Sequence, residues 1–158
     1  MKKLSVRLRI TLLYTIFMTV LTAASLFLLF SLSSREVLTS TGAELEEEVH
    51  ESVEELTIQN GEVRVDSDFY SLEKGVYLAL YDEQGYFLYG RVPYGVDVQP
   101  EFEDGNLRKL NDRQKKWFVY DQFFKVDGEN SVYVRGVTSI TDVEEKFYVT
   151  MRIALLSL

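Results

Sequence analysis

An α+β fold, in which a long N-terminal helix precedes an antiparallel sheet, is what this sequence predicts, and three observations carry it. The 25 residues of 10–34 (ITLLYTIFMTVLTAASLFLLFSLSS) hold no charge and lead into an amphipathic run that reaches about Leu56. Two pairs of β-rich arms flank turn-forming residues at 82–85 and 127–130. From Thr141 the chain starts acidic and turns apolar, as a closing helix would.

A chain of 158 residues that is 46% hydrophobic is long and apolar enough for one domain with a core. Cysteine is absent, which excludes disulfides, thiolate metal sites, a cysteine nucleophile and a lipoprotein-type anchor. The domain must hold together by packing.

At 1.5 Å per residue, roughly 20 helical residues cross the hydrocarbon core, so 10–34 is long enough to span it. A cleaved signal peptide shares the basic start, but its apolar region runs to about 7–15 residues, and the greater length favours an uncleaved anchor. Lys2, Lys3, Arg7 and Arg9 precede the span with no acid among them. Such a flank stays in the cytoplasm, which makes 1–9 cytoplasmic and places the chain beyond the span outside. The segment 35–146 holds all 25 acids and 12 of the 17 bases, a balance of −13. That charge argues against nucleic acid as a partner and permits cations or cationic peptides.

Beyond the span, Leu38, Leu45, Val49, Val53 and Leu56 fall within about 80° on a 3.6-residue helix, so the transmembrane helix is expected to continue outward to about Leu56. Gln59-Asn60-Gly61 breaks the pattern, and the alternation from Glu62 to Asp66 reads as an exposed strand. GVYLALY (75–81), the turn DEQG and YFLY (86–89) form a first hairpin. Residues 90–112 carry Pro93, Pro100 and three glycines and read as a long surface connection with at most one short helical turn. The arms running from Lys116 through Val126 and from Ser131 to Val137 form a second hairpin around 127–130. Thr141-Asp142-Val143-Glu144-Glu145 sets acids at the positive end of a helix, and 151–158 is expected to begin a second span that its length cannot complete.

A basic start (KKLSVRLRITLLYTIFMTVL), one span, an outer domain containing GVYLALYDEQGYFLYGRVP and an apolar exit (VEEKFYVTMRIALLSL) together resemble the N-terminal part of a bacterial two-component sensor histidine kinase. The resemblance rests on layout along the whole chain, with no catalytic motif. It implies a PAS-like antiparallel sheet at 35–150, behind a helix continuous with the transmembrane one, in the bacterial cell membrane. It also implies a homodimer and a cytoplasmic part beyond this chain that uses ATP and phosphorylates a response regulator. A non-enzymatic membrane-tethered receptor or binding protein, or the sensor of another output enzyme such as a cyclic-dinucleotide synthase, shares the same outer layout. Fold does not fix the ligand.

The single histidine, His50, stands in ELEEEVHESVEEL among seven glutamates. Followed by Glu51 it superficially resembles the family's phosphoacceptor box, but no proline follows and the position lies outside the membrane. A His-Glu-x-x-His zinc site fails as well, because Glu54 stands where the second histidine belongs. Glu46, Glu47 and Glu54 lie at i−4, i−3 and i+4 of His50, which favours the imidazolium and makes this group a candidate signal-sensing face for protons, Ca²⁺, Mg²⁺ or a cationic peptide. The same residues also suit the solvated back of an amphipathic helix. Tyr77, Tyr81, Tyr89, Trp117, Tyr120 and Phe124 fall on predicted strands, where they either line a small-molecule pocket or fill the core. No nucleophile elbow, phosphate-binding glycine loop or metal motif is present, so no catalytic residue and no cofactor is expected in these residues.

Overall fold

In the computed structural model the described residues are 5–59, 62–65, 67–70, 72, 75–94, 96, 100–112, 115–126 and 131–156. They form a helix α1 (Val6–Glu54), strands β1 (Thr57–Gln59) and β2 (Glu62–Arg64), and a 3₁₀ turn (Ser67–Tyr70). Strands β3 (Val76–Asp82), β4 (Phe87–Gly90), β5 (Arg108–Asp112), β6 (Lys115–Lys125) and β7 (Ser131–Ser139) come next, and a helix α2 (Ile140–Leu156) closes the chain. The α+β class is as expected. The Asn60-Gly61 break, the 127–130 turn and the last residues of the expected second span lie outside the described residues.

The chain divides into two compact units, Met1–Val37 and Leu38–Leu158. In the first, the large apolar side chains from Val6 to Leu32 are exposed around the helix, and α1 is long and apolar enough to cross a membrane. Its hydroxyls are satisfied within the helix: Thr11, Thr15, Thr19, Thr22 and Ser25 each donate to the carbonyl four residues earlier, at 2.8–3.0 Å. This back-bonding removes the cost of placing a hydroxyl in apolar surroundings.

The second unit is built on a five-stranded sheet of order β4-β3-β7-β6-β5, with every neighbouring pair antiparallel. β1 and β2 make a separate two-stranded ribbon. Alternation along the strands sorts the residues onto two faces. Val76, Leu78 and Leu80 of β3, Phe118 of β6, and Val132 and Val134 of β7 form the main core with Leu45, Val49, Val53 and Leu56. Leu38 packs against the same cluster, so the whole predicted apolar stripe lies on this sheet. Gly136 explains how closely the helix approaches: a Cβ there would sit 2.3 Å from Val49 Cγ2 and 2.8 Å from Leu45 Cδ1.

Two details depart from the expected layout. β5 falls inside the stretch read as a surface connection, and β1 precedes the strand expected at Glu62. β5 has Leu110 as its one apolar residue and alternates half-buried with exposed positions at the sheet edge, so it forms because β6 offers it a partner. α2 starts at Ile140, where the Ser139 hydroxyl accepts from the Asp142 amide at 3.0 Å as an N-cap.

Candidate functional site

The face of the sheet turned away from the core of the second unit carries Tyr77, Ala79 and Tyr81 from β3, Trp117, Val119 and Asp121 from β6, and Tyr133, Arg135 and Val137 from β7. Its apolar part, Trp117, Val119 and Val137, forms a second cluster with Tyr77, Val96 and Leu110 against it. Its polar part centres on Asp121, which is fully buried. Asp121 and Arg135 are cross-strand partners, and Arg135 donates from Nε to Oδ1 at 2.6 Å and from Nη2 to Oδ2 at 2.8 Å. A second guanidinium, Arg108, donates to Oδ2 from Nη2, and the Glu103 amide reaches the same oxygen at 3.2 Å. One carboxylate thus holds two arginines, Arg135 through a bidentate pair and Arg108 through a single charge-assisted bond.

Residues 100–107 are strapped across this face by those charges. Arg135 also donates to the carbonyls of Pro100 and Glu101, and Arg108 donates to that of Glu101. The Gly105 amide bonds the Asp121 carbonyl at 2.8 Å, and Asp104 accepts from the Phe123 amide at 2.7 Å. Phe102 lies with its ring centroid 4.0 Å from the Arg135 guanidinium and stacks on Tyr133 at 4.8 Å, with Tyr81 at 5.1 Å. Beside the strap a cavity of about 310 Å³, counted to its open mouth, is lined by Ala79, Tyr81, Arg91, Pro93, Val119 and Arg135, among others. Its enclosed part is tight, about the room of one water.

The six aromatic candidates do not converge on one pocket. Tyr81 lines the cavity. Tyr77 and Trp117 share its face within the second apolar cluster. Tyr120 and Phe124 lie on the opposite face against the main core, and Tyr89, paired with Leu80, is exposed on the edge strand. Sequence reasoning missed Asp121, Arg135 and Arg108. The available signal was an acid and a base, each inside a β-rich apolar run, at matching distances from the 127–130 turn.

The candidate signal-sensing residues lie on the outer surface of α1. His50 is 64% exposed, its Nε2 stands 3.5 Å from Glu54 Oε1, and Gln122 Nε2 donates to its Nδ1 at 3.2 Å. With the proton on Nε2, the imidazole bridges α1 to β6. Glu46 and Glu47 are exposed on the same helix. Burial raises the Tyr120 hydroxyl above its ordinary 10.0, and the Glu46 and Asp104 carboxylates push it further the same way. Glu46 therefore acts on a phenol, while Glu54 faces the imidazole. Among the described residues, no group of three or more acids or histidines is arranged to hold a metal ion.

Comparison of the chain with protein-family models, with curated proteins and with solved structures finds no match in any of the three.

Proposed function

We propose that this chain is the membrane-anchored, extracytoplasmic sensory region of a bacterial sensor histidine kinase, with a PAS-like sheet domain between two membrane helices. The observation that carries the reading is the character of α1. Residues 10–29 expose apolar side chains on all sides, whereas Leu45 and Val49 of the same helix are wholly buried against a sheet. Such a helix suits lipid along one stretch and protein along the next. The basic flank of Lys2, Lys3, Arg7 and Arg9 supports a cytoplasmic N-terminus. The antiparallel five-stranded sheet, with α1 on one face and α2 leaving directly from β7, supports the PAS-like plan.

In this reading a stimulus on the sheet domain shifts a homodimer between two arrangements of its membrane helices, and a cytoplasmic ATP-dependent kinase passes the change to a response regulator. A ligand moves that equilibrium only if it binds the two arrangements with different affinity. The strapped face with its cavity suits a small molecule, and the acidic back of α1 suits a cation or cationic peptide. β7 joins the two ends of the route: Arg135 sits under the strap, and Ser139 caps α2.

The test is topological and genetic. Alkaline phosphatase inserted at the Glu83-Gln84 turn is expected to be active in cells, and inactivity there would reverse the proposed orientation. The reading frame after codon 158 is expected to encode a His-Glu-x-x-x-Pro box and ATP-binding glycine motifs. Their absence would overturn the kinase assignment while leaving the anchored domain standing.

A further inference from the structure

The sheet domain is electrically lopsided. Four elements meet at one end of the sheet: β7 finishes at Ser139 and hands over to α2, β6 starts opposite it with Trp117 paired to Ser139, β5 finishes against Lys115, and β3 starts at Val76. The chain leaving β4 runs toward the same end, since the Arg91 amide bonds the Leu78 carbonyl after Gly90 pairs with Ala79. This end carries Arg91, Lys109, Lys115 and Lys116, all exposed, and Tyr94, whose side chain is fully in solvent. From Gln84 to Val96 there is no acid, although the outer segment as a whole stands at −13. Asp112 and Asp142 share this end, with Asp142 taking Lys115 at 3.0 Å, and the next turns of α2 add Glu144, Glu145 and Lys146. At the opposite end, the β3–β4 turn holds Asp82 and Glu83, with Lys125 finishing β6. α1 runs toward that end, from Gly42 beside Leu107 to His50 at Gln122, and carries exposed Glu51, Glu54 and Glu55 there.

We infer that the basic end, through Lys116, Arg91 and Tyr94, is a contact surface for the headgroups of an anionic phospholipid bilayer. The inference rests on the proposed membrane course of α1 and α2. Charge complementarity is the first argument: bases flank an exposed tyrosine on an otherwise acidic domain, and basic residues with aromatic rings are the side chains that settle at a membrane–water interface. Distance is the second. From Thr141 to Phe147, where α2 turns apolar, the rise is about 9 Å, comparable with a headgroup layer of roughly 5–8 Å per leaflet. A lysine at the start of β6 then hangs at phosphate level, with the acidic end of the domain farthest from the anionic surface. The contact would hold the domain upright on the bilayer and leave the strapped face open to solvent.

Trp117, the single tryptophan, adjoins Lys116 and lies with its ring centroid 5.7 Å from Lys115 Nζ, so the native chain carries its own reporter. The full chain is reconstituted into vesicles of phosphatidylcholine with or without phosphatidylglycerol, each with a trace of headgroup-nitroxide lipid. Trp117 quenching is expected to be stronger with phosphatidylglycerol and to return to the phosphatidylcholine level in about 0.5 M salt, where the screening length is about 4 Å. The Lys116→Gln, Arg91→Gln double variant is expected to lose more than half of the lipid-dependent quenching. Equal quenching in both lipids, or quenching indifferent to salt, overturns the contact, and the native chain alone delivers that outcome if the variant misfolds. Carbonate extraction of the same vesicles separates the two ideas: a chain that washes off sinks the membrane reading and the contact together, while a retained chain with equal quenching sinks the contact alone.

Discussion

Under α1 the sheet is closed by interdigitated Leu, Val and Phe side chains with no charge among them, whereas the other face is closed by one buried carboxylate gripping two arginines and a strap of chain. The first closure is non-directional and spread over many residues, so losing one contact costs a fraction of the total. The second is concentrated: Asp121 holds the geometry, and each of its bonds leads to the strap or to β7. An apolar seal tolerates small displacements, while an ionic one is either made or broken. That contrast places the switchable half of the domain on the strapped face and the load-carrying half under α1.

The largest effect expected is at Asp121. Asp121→Ala leaves two guanidiniums buried without their carboxylate and should destabilise the sheet domain by about 3–5 kcal/mol. A urea midpoint for the full chain in detergent, followed by Trp117 emission, measures it. Replacing Asp121, Arg135 and Arg108 together by apolar residues of similar size should recover most of that loss, because no charge is then stranded. A triple variant as weak as the single one would mean that the strap, not charge satisfaction, supplies the stability.

Leu45→Ala should cost about 2–5 kcal/mol by opening a cavity between α1 and Gly136, with the strap left intact. Protease cleavage within 100–107 reports the strap separately, and cleavage that rises in Leu45→Ala would show the two faces to be coupled.

Tyr120 gives a smaller, pH-dependent effect. Its folded-state hydroxyl titrates above 10.0, so the unfolded chain releases that proton first. The stability tied to it is complete below about pH 10 and is lost as pH rises through the folded value. Absorbance of phenolate should show one late-titrating tyrosine that disappears in Tyr120→Phe and titrates earlier in Glu46→Gln. A late tyrosine unmoved by Glu46→Gln would leave burial and Asp104 as its causes.

The smallest effect belongs to His50. Its side chain is mostly in solvent, so His50→Ala should change stability by no more than about 0.5 kcal/mol. A larger loss would show that the Gln122 bridge carries weight between α1 and β6.

The helix-side face was legible because its signals are periodic. The stripe from Leu38 to Leu56 follows a 3.6-residue repeat, and β3, β4, β6 and β7 stand out as aromatic and β-branched runs around turns. β5 was not, because RKLND owes its strand to β6 rather than to its own pattern. The ionic centre stayed hidden for a different reason. A charge inside an apolar run reads as a strand's solvent side until the hairpin register is fixed, and only then do Asp121 and Arg135 become opposite numbers. The six aromatics were legible as strand residues, but their division between two faces depends on phase, which a one-residue shift reverses.

Gly136 has a consequence for movement. With no side chain, it leaves a notch in β7 into which Leu45 and Val49 drop, as a key drops into its slot. Sliding the helix by one turn, about 5.4 Å, would have to lift both side chains out of the notch before finding another seat. The segment of α1 on the sheet has therefore lost its axial degree of freedom, and an axial pull on that segment is delivered to the whole sheet as a single rigid rider.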